Sequence, residues 1–327
     1  MKEIFKYSCL IFLYSLAGVY ISTCFAIDLK IQGYEERFIG LGLSFWGVGV
    51  IIGALLHNQV RKKFNLISTI FLGSFIQLLI SLIFLLEINI YLVALMQLIA
   101  GVLNAVNSLT IESFISDKYK KSSGFYISLF WSSAGLGAIS ASLIIAINGI
   151  NNLTYYFAVL FYILHFIPIL IFRKSFIRIY IENISLRLSK NNLKKIQYLL
   201  ICVILFGACD AGFSSLFPSY LIEETFKDKQ IGQINFLAGG IALFFYPLMG
   251  KLVDNFNKTI IFNSFCILNL INLIALYFIN DFYLYIICVA FYYYTIGTVF
   301  LITFNIVGKV LSGGAITFGI AGHYISE

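Results

Sequence analysis

The stretch GKLVDNFNK, residues 250–258, places a glycine, a carboxylate and two lysines between two long apolar runs. An earlier stretch, GALLHNQVRK at residues 53–62, lies in a similar position and aligns with it at one constant offset. The offset pairs Gly53 with Gly250, Leu55 with Leu252, Asn58 with Asn255 and Arg61 with Lys258. Charged residues are scarce in this chain, so two matched charged stretches indicate that one structural plan is used twice.

The composition identifies the class of protein. The sequence is 60% hydrophobic and only 11% charged, and its mean hydropathy is +0.94. Such a chain is typical of a membrane protein and excludes an ordinary water-soluble domain. The strands of a membrane barrel would alternate polar and apolar residues, whereas these runs are apolar on all sides. We therefore predict an all-α polytopic membrane protein.

Ten runs are long enough to cross a bilayer as helices. They lie at about 7–27, 38–57, 65–86, 90–113, 123–148, 153–172, 197–220, 231–250, 260–280 and 282–305. A weaker eleventh segment begins at Val307, is rich in small residues and ends with the chain. Lys2 and Lys6 precede the first run, but its apolar part is long and other spans follow, which indicates an uncleaved first helix.

The basic residues fall mainly on one side of this predicted topology. All 22 Lys and Arg residues lie at or near the ends of the runs, and eighteen of them are on the side that holds the N-terminus. Because basic residues in short loops disfavour translocation, that side is predicted to be the cytoplasm. The net charge of +7 is then a feature of membrane topology. It does not indicate a nucleic acid, so the expected partners are the lipid bilayer and a small-molecule substrate.

One long connection divides the chain. Residues 173–196 are basic, with apolar residues near helical spacing, as in a helix that lies on an anionic inner leaflet. This cytoplasmic linker separates a six-helix N-terminal half, 1–172, from a C-terminal half, 197–327, with four helices and a partial fifth.

Motifs for enzyme chemistry are absent from the sequence. The six cysteines form no CxxC pair, and the three histidines are scattered. There is no HExxH, no phosphate-binding glycine loop and no Ser, His and Asp set at a known spacing. We expect no catalytic residues, no metal site and no cofactor.

A second feature repeats alongside the charged stretches, because ERFIG at 36–40 and DKQIG at 228–232 each open the run that leads to one of them. This arrangement resembles the major facilitator superfamily, whose halves each carry a loop G-x-L-x-D-R-x-G-R-[RK] between their second and third helices. The second copy matches at Gly250, Leu252, Asp254 and Lys258. The first matches at Gly53, Leu55, Arg61 and Lys62, with His57 in place of the aspartate.

The resemblance implies that these loops act as a cytoplasmic latch between the halves. The residues that it assigns to this latch are Gly53, Arg61, Lys62, Gly250, Asp254 and Lys258. Glu112, near the end of the fourth run, is expected to pair with basic loop residues such as Arg61 or Lys62. The alternative is that the loop charges only set the topology.

The family has twelve spans, whereas this chain has room for ten and part of another. We therefore expect a chain that is truncated at its C-terminus relative to a working ancestor.

Polar side chains inside the bundle are the candidates for function, because an ionisable group in hydrocarbon is costly. Asp210 lies roughly 20 Å from the cytoplasmic start of its run, at 1.5 Å per residue. It is a candidate for proton coupling, for contact with a cationic substrate group, or for a structural bond to Ser214.

The fourth run carries a polar stripe. Asn104, Ser108 and Glu112 recur at four-residue spacing, with Asn107 beside them. One face of this helix should therefore look inward. In the family, the first, fourth, seventh and tenth helices line the central cavity, which makes Asn104, Asn107 and Ser108 candidate substrate or coupling residues.

The tenth run contains FYYYT at 291–295. Tyr293 and Tyr294 are candidates for substrate contact, although an aromatic-rich helix also suits packing or lipid. His165 lies three residues before Pro168 and is interpreted as a hydrogen-bonded residue at a kink, not as a proton carrier.

These observations favour a secondary active transporter in a bacterial inner membrane. It would move a small organic solute by alternating access between two pseudo-symmetric halves, with proton coupling as one option. The alternative is a transport-inactive remnant, or a membrane-embedded sensor, with the same fold.

Overall fold

The computed structural model describes residues 2–85, 89–119, 123–151, 153–172, 210, 212–213, 216–279 and 281–310. The predicted linker at 173–196 lies outside the described residues, as does the start of the predicted C-terminal half. The predicted eleventh segment begins within the last helix described here, and the rest of it also lies outside them.

The described chain folds into α-helices that run back and forth across the bundle. They are α1 (Lys2–Ile31), α2 (Glu36–Lys63), α3 (Leu66–Ile83), α4 (Ile90–Lys118), α5 (Ser123–Asn148), α6 (Thr154–Phe172), α7 (216–223), α8 (Asp228–Asn255), α9 (Lys258–Tyr277) and α10 (Phe282–Val310). Nine of these are long and apolar enough to cross a membrane. The prediction of an all-α polytopic membrane protein is confirmed.

Two ends of the bundle are distinguished below. The near end holds the start of α1 and the connections α2–α3 and α8–α9. The far end holds the connections α1–α2, α5–α6 and α7–α8.

The predicted near-end loops are almost wholly helical. After α2 only Phe64 and Asn65 intervene before α3, and the Asn65 side chain accepts a hydrogen bond from the Ser68 amide at 2.8 Å. After α8 only Phe256 and Asn257 intervene before α9, and Asn257 caps that helix in the same way. Asparagine satisfies the free amides of a helix start, so each polypeptide turn closes in two residues.

The two halves share one register. Helices α2 and α8 are each 28 residues long, and α4 and α10 are each 29 residues long. Both ends of each later helix lie 192 residues after those of the earlier one, as does the start of α9 relative to α3. The repeat therefore runs without insertion over the second to fourth helices.

The turn before the repeat follows the same register. Gly33 after α1 has φ +87°, and Thr225 after α7 has φ +68°. In both copies the amide of the next residue donates to a carbonyl five residues back, at 3.0 Å. This is the usual left-handed end of a helix, where glycine is favoured and threonine is strained.

This register differs from the offset suggested by the charged stretches. The ERFIG and DKQIG segments are 192 residues apart, in agreement with the helices, whereas Gly53 and Gly250 are 197 apart. Gly53 lies about three turns before the end of α2, and Gly250 less than about two turns before the end of α8. The two glycines are thus not equivalent, because the asparagine caps fix the helix ends and the glycines do not.

Within the first half, α2 and α4 pack with their backbones in close contact. A Cβ on Gly101 would lie 2.0 Å from the Trp46 carbonyl oxygen, and one on Gly53 would lie 2.5 Å from that of Val102. Side chains at these positions would force the helices apart. Gly53 therefore holds a helix crossing and does not lie in a loop.

The halves meet chiefly where α5 crosses α8. A Cβ on Gly232 of α8 would lie 2.4 Å from the Ala146 amide nitrogen of α5, near the far end. At the near end the Lys251 ammonium lies 5.6 Å from the centre of the Phe125 ring. The small residues at 132–142 contribute to packing, since Gly137 faces α1 and Gly135 faces α8.

Candidate functional site

Asp210 makes a hydrogen bond to α10. The Tyr292 hydroxyl donates to Asp210 Oδ1 at 2.9 Å, and the Phe213 ring lies 4.1 Å from the Tyr292 ring. Tyr292 is fully buried, whereas Asp210 is half-buried. The carboxylate thus keeps some access while a phenol hydrogen holds it in place. Sequence analysis did not select Tyr292.

The buried positions of α10 give the signal that would have found it. Tyr285, Val289, Tyr292 and Ile296 are buried and recur at three- and four-residue spacing, which is the inward face of a helix. Reading this spacing along the whole run, instead of within FYYYT, selects Tyr292.

The two tyrosines selected by sequence contact α8. The Tyr293 hydroxyl donates to Asn235 Oδ1 at 3.2 Å, and the Tyr294 hydroxyl lies 3.3 Å from Met249 Sδ. Both contacts tie α10 to α8 within the second half. Ser214, the alternative partner proposed for Asp210, lies outside the described residues.

The polar stripe of α4 faces the interior of the first half. Asn104, Asn107 and Ser108 line a cavity of about 30 Å³ between α1, α3, α4 and α6. The Ser108 hydroxyl donates to Asn104 Oδ1 at 3.2 Å. The opposite wall of this cavity carries Tyr14 and His165, neither of which was predicted as a site residue.

His165 and Tyr14 belong to one hydrogen-bonded group. His165 Nδ1 lies 3.0 Å from Ser74 Oγ, so His165 is hydrogen-bonded as expected. The Tyr14 hydroxyl donates to the Ala100 carbonyl oxygen and accepts from Gln77 Nε2, both at 3.3 Å. The group joins four helices, and these residues come from parts of the chain too far apart for local spacing to connect them.

The predicted latch residues lie at the near end. Glu112 is fully buried, and nearby His57 Nε2 lies 3.0 Å from Thr110 Oγ1. Gly250 is buried in α8, and Lys258 is the first residue of α9. The side chains of Arg61, Lys62 and Asp254 lie outside the described residues, so the pairing of Glu112 with Arg61 or Lys62 stays a prediction.

Polar contacts join the two halves at the far end. Lys30 Nζ lies 2.6 Å from Glu223 Oε1 and also contacts Glu36. The Ile150 amide donates to Asp228 Oδ2 at 2.6 Å. We call these five residues the far-end clasp. Glu36 and Asp228 are equivalent in the 192-residue register, so each half contributes the first residue of an equivalent helix.

The sequence gave no signal for the clasp. Lys30 and Glu223, and Ile150 and Asp228, belong to different halves and become neighbours only when the halves assemble. Gly149 beside the clasp has φ +69°, and a Cβ there would lie 2.5 Å from Asp228 Oδ2. Only glycine satisfies both the backbone conformation and the space at this position.

Comparison with known proteins places this architecture. The family model of the Major Facilitator Superfamily matches residues 7–325. A bacterial homolog of the human lysosomal transporter Spinster, solved in an inward-facing and unoccupied conformation, aligns with a TM-score of 0.70 at 13% identity, over 99% of this chain and 78% of that one.

The nucleoside transporter NupG aligns with a TM-score of 0.73, also at 13% identity, over 100% of this chain and 88% of that one. No curated protein matches the chain by sequence. The likeness to these two structures is one of fold, and the match of the family model covers nearly the whole chain. This chain therefore belongs to the major facilitator superfamily.

Proposed function

We propose that the protein is a secondary active transporter that moves a small organic solute across a bacterial inner membrane by alternating access. The far-end clasp is the observation that carries this proposal. It closes one end of the interface between two repeated halves through contacts that water can replace, as a gate requires.

The chemistry of the clasp suits a reversible gate. Glu223 is half exposed, and exposed ion pairs contribute only about 0–1 kcal/mol because water competes for both charges. When the halves separate, Lys30, the two glutamates and Asp228 gain water in place of their partners. Opening would therefore expose charged groups to solvent instead of stranding them in hydrocarbon.

The near end is proposed to face the cytoplasm, which makes the clasp an outer gate. The basis is the excess of Lys and Arg at the near end, where eighteen of the 22 basic residues fall in the sequence-based topology. A cysteine at Lys258 should resist a membrane-impermeant thiol reagent in whole cells, and one at Lys227 should react. Labelling of the Lys258 position from outside would overturn this orientation.

Asp210 is proposed as the proton-coupling residue. It is a half-buried carboxylate on the helix that precedes α8, and its hydroxyl partner on α10 can donate to it in the ionised form. Movement of α7 relative to α10 would change that bond and the access of water together. Contact with a cationic substrate group and a purely structural role are the competing assignments.

A buried serine beneath the clasp tests alternating access without knowledge of the substrate. Ser219 on α7 is fully buried, and its hydroxyl lies 3.4 Å from the Ala26 carbonyl oxygen across the interface. In whole cells without reactive native cysteines, Ser219→Cys should react slowly with an impermeant thiol reagent as the far end opens. Adding Lys30→Ala should speed that reaction.

A matched serine provides the control. Ser81 is equally buried, but it lies inside the first half and bonds to Leu78 in its own helix. Ser81→Cys should stay unreactive in both backgrounds. If Ser219→Cys is as inert as Ser81→Cys, with and without Lys30→Ala, the far end does not open. A transport-inactive remnant or a sensor would then be the correct interpretation.

A further inference from the structure

The cavity within the first half contains hydrogen-bond acceptors that its own walls do not satisfy. Among the described residues, no hydrogen-bond partner contacts Asn107 Oδ1, although this atom is buried. Gln77 Oε1, beside the cavity-lining Tyr14, is in the same position, and Gln77 is only 1% exposed. Buried polar atoms in folded proteins nearly always have a partner, so these two acceptors need a donor.

His165 supplies a third acceptor. The Ser74 hydroxyl donates its single hydrogen to the Ile70 carbonyl oxygen at 2.8 Å. Ser74 must then accept from His165 Nδ1, 3.0 Å away, so Nδ1 carries the hydrogen. In the neutral ring, Nε2 is left as an acceptor, and His165 lines the cavity.

The cavity therefore needs a guest that donates hydrogen bonds. Its volume of about 30 Å³ is close to the share of one molecule in liquid water. The lining consists of neutral side chains, listed as Leu10, Ile11, Tyr14, Ile70, Asn104, Asn107, Ser108, Ile111 and His165. A cation in such surroundings would be buried without a counter-charge, which is costly, whereas water is not.

We infer that this cavity is a binding site for one structural water molecule, held by Asn107 Oδ1 and His165 Nε2. The water joins α4 to α6, whose only other link across the cavity runs through Tyr14 of α1 in the described chain. It also fixes His165 in the neutral form with the hydrogen on Nδ1. The first half is thereby held together as one unit that can move as a rigid body against the second.

Radiolytic hydroxyl-radical labelling tests this site, because a bound water generates radicals next to the residues that hold it even when bulk solvent cannot reach them. The wild-type protein in nanodiscs is irradiated, and oxidation of individual histidines is measured by mass spectrometry. His165 and His57 are matched reporters, since they are 2% and 1% exposed and only His165 lines the cavity. We expect His165 to be oxidised several-fold faster than His57.

Asn107→Leu fills the cavity with an apolar side chain and removes one acceptor. It should lower the oxidation of His165 to the level of His57, with His57 unchanged and the thermal unfolding still cooperative. A misfolded variant would instead raise both rates, so the wild-type comparison alone decides the matter in that case. Equal, low rates at His165 and His57 in the wild type would overturn the inference.

A final arm separates water from a small cation. The wild-type measurement is repeated with sodium chloride or ammonium chloride in place of choline chloride at constant ionic strength. A water site predicts the same His165 rate in all three salts. A His165 rate that falls as sodium or ammonium rises would mean that the occupant is a cation and would refute the assignment to water. Neither result depends on whether the protein transports a solute.

Discussion

Replacing Gly149 by alanine tests whether the far-end clasp controls the balance between closed and open states. Gly149 precedes Ile150, whose amide donates to Asp228 Oδ2 at 2.6 Å. A methyl group on Gly149 would come within 2.5 Å of that oxygen. The Asp228 carboxylate must then shift, and its bond across the two halves is lost only when the halves are together.

The size of the effect follows from two separate terms. Gly149 has φ +69°, and a left-handed conformation costs an alanine about 1–2 kcal/mol. This cost is the same in the open and closed states, so it lowers stability without changing their ratio. The lost bond to a charged acceptor contributes about 1.5–3 kcal/mol, and we take about 1.5 because the site is partly exposed. That corresponds to roughly a tenfold shift toward the open far end.

Distances between two spin labels measure this ratio directly. Gln32 and Glu224 are both exposed, lie at the far end of different halves and are equivalent in the 192-residue register. Labels at these positions in a cysteine-free background should give a short distance with the clasp closed and a longer one when it opens. Gly149→Ala should increase the long-distance population about tenfold when that population is small.

Gly33→Ala is the matched control. Gly33 has φ +87°, and nothing lies within 4 Å of an added Cβ. It should therefore lower stability as Gly149→Ala does, without changing the distance distribution. An unchanged distribution in Gly149→Ala, with the expected loss of stability, would refute the role of the clasp. Equal shifts in both variants would mean that backbone strain alone opens the far end.

Three further changes have defined outcomes. Asp210→Asn retains an oxygen that can accept from Tyr292, so thermal stability should change by less than about 0.5 kcal/mol; in proteoliposomes, accumulation driven by a pH gradient should stop while exchange of the same solute continues, and undiminished accumulation would exclude proton coupling there. Gly101→Ala should cost about 1–3 kcal/mol of unfolding free energy through overpacking against α2, whereas Gly18→Ala, with nothing within 4 Å of the new Cβ, should cost nothing measurable. Thr225→Gly relieves a left-handed threonine, and a thermal midpoint that did not rise would contradict a gain of about 1 kcal/mol.

Local patterns predicted the membrane fold because they record a local requirement. Every backbone amide in hydrocarbon must bond within its own helix, so each span needs an unbroken apolar run. Nine of the ten predicted runs correspond to full-length apolar helices in the described chain. The repeated Ile-Gly at the start of α2 and α8 also gave the correct register of 192 residues.

The charged stretches were a less reliable guide to the repeat. Charge at a membrane edge is set by topology over several residues, so it tolerates slippage between the two copies. A helix end requires a cap at one position, and Asn65 and Asn257 provide it. A sequence alignment anchored on these asparagines would have placed Gly53 inside α2, where it packs against α4.

The sequence alone determined that this chain crosses a membrane many times, that its halves repeat, and that the repeat resembles one transporter superfamily. Only the tertiary structure decided which polar groups meet: Tyr292 with Asp210, His165 with Ser74, and Lys30 with Glu223. The reason is physical. Hydrophobic periodicity fixes which face of a helix is buried, but not which neighbour covers it, because that depends on the close crossings that glycines permit between helices distant in the chain.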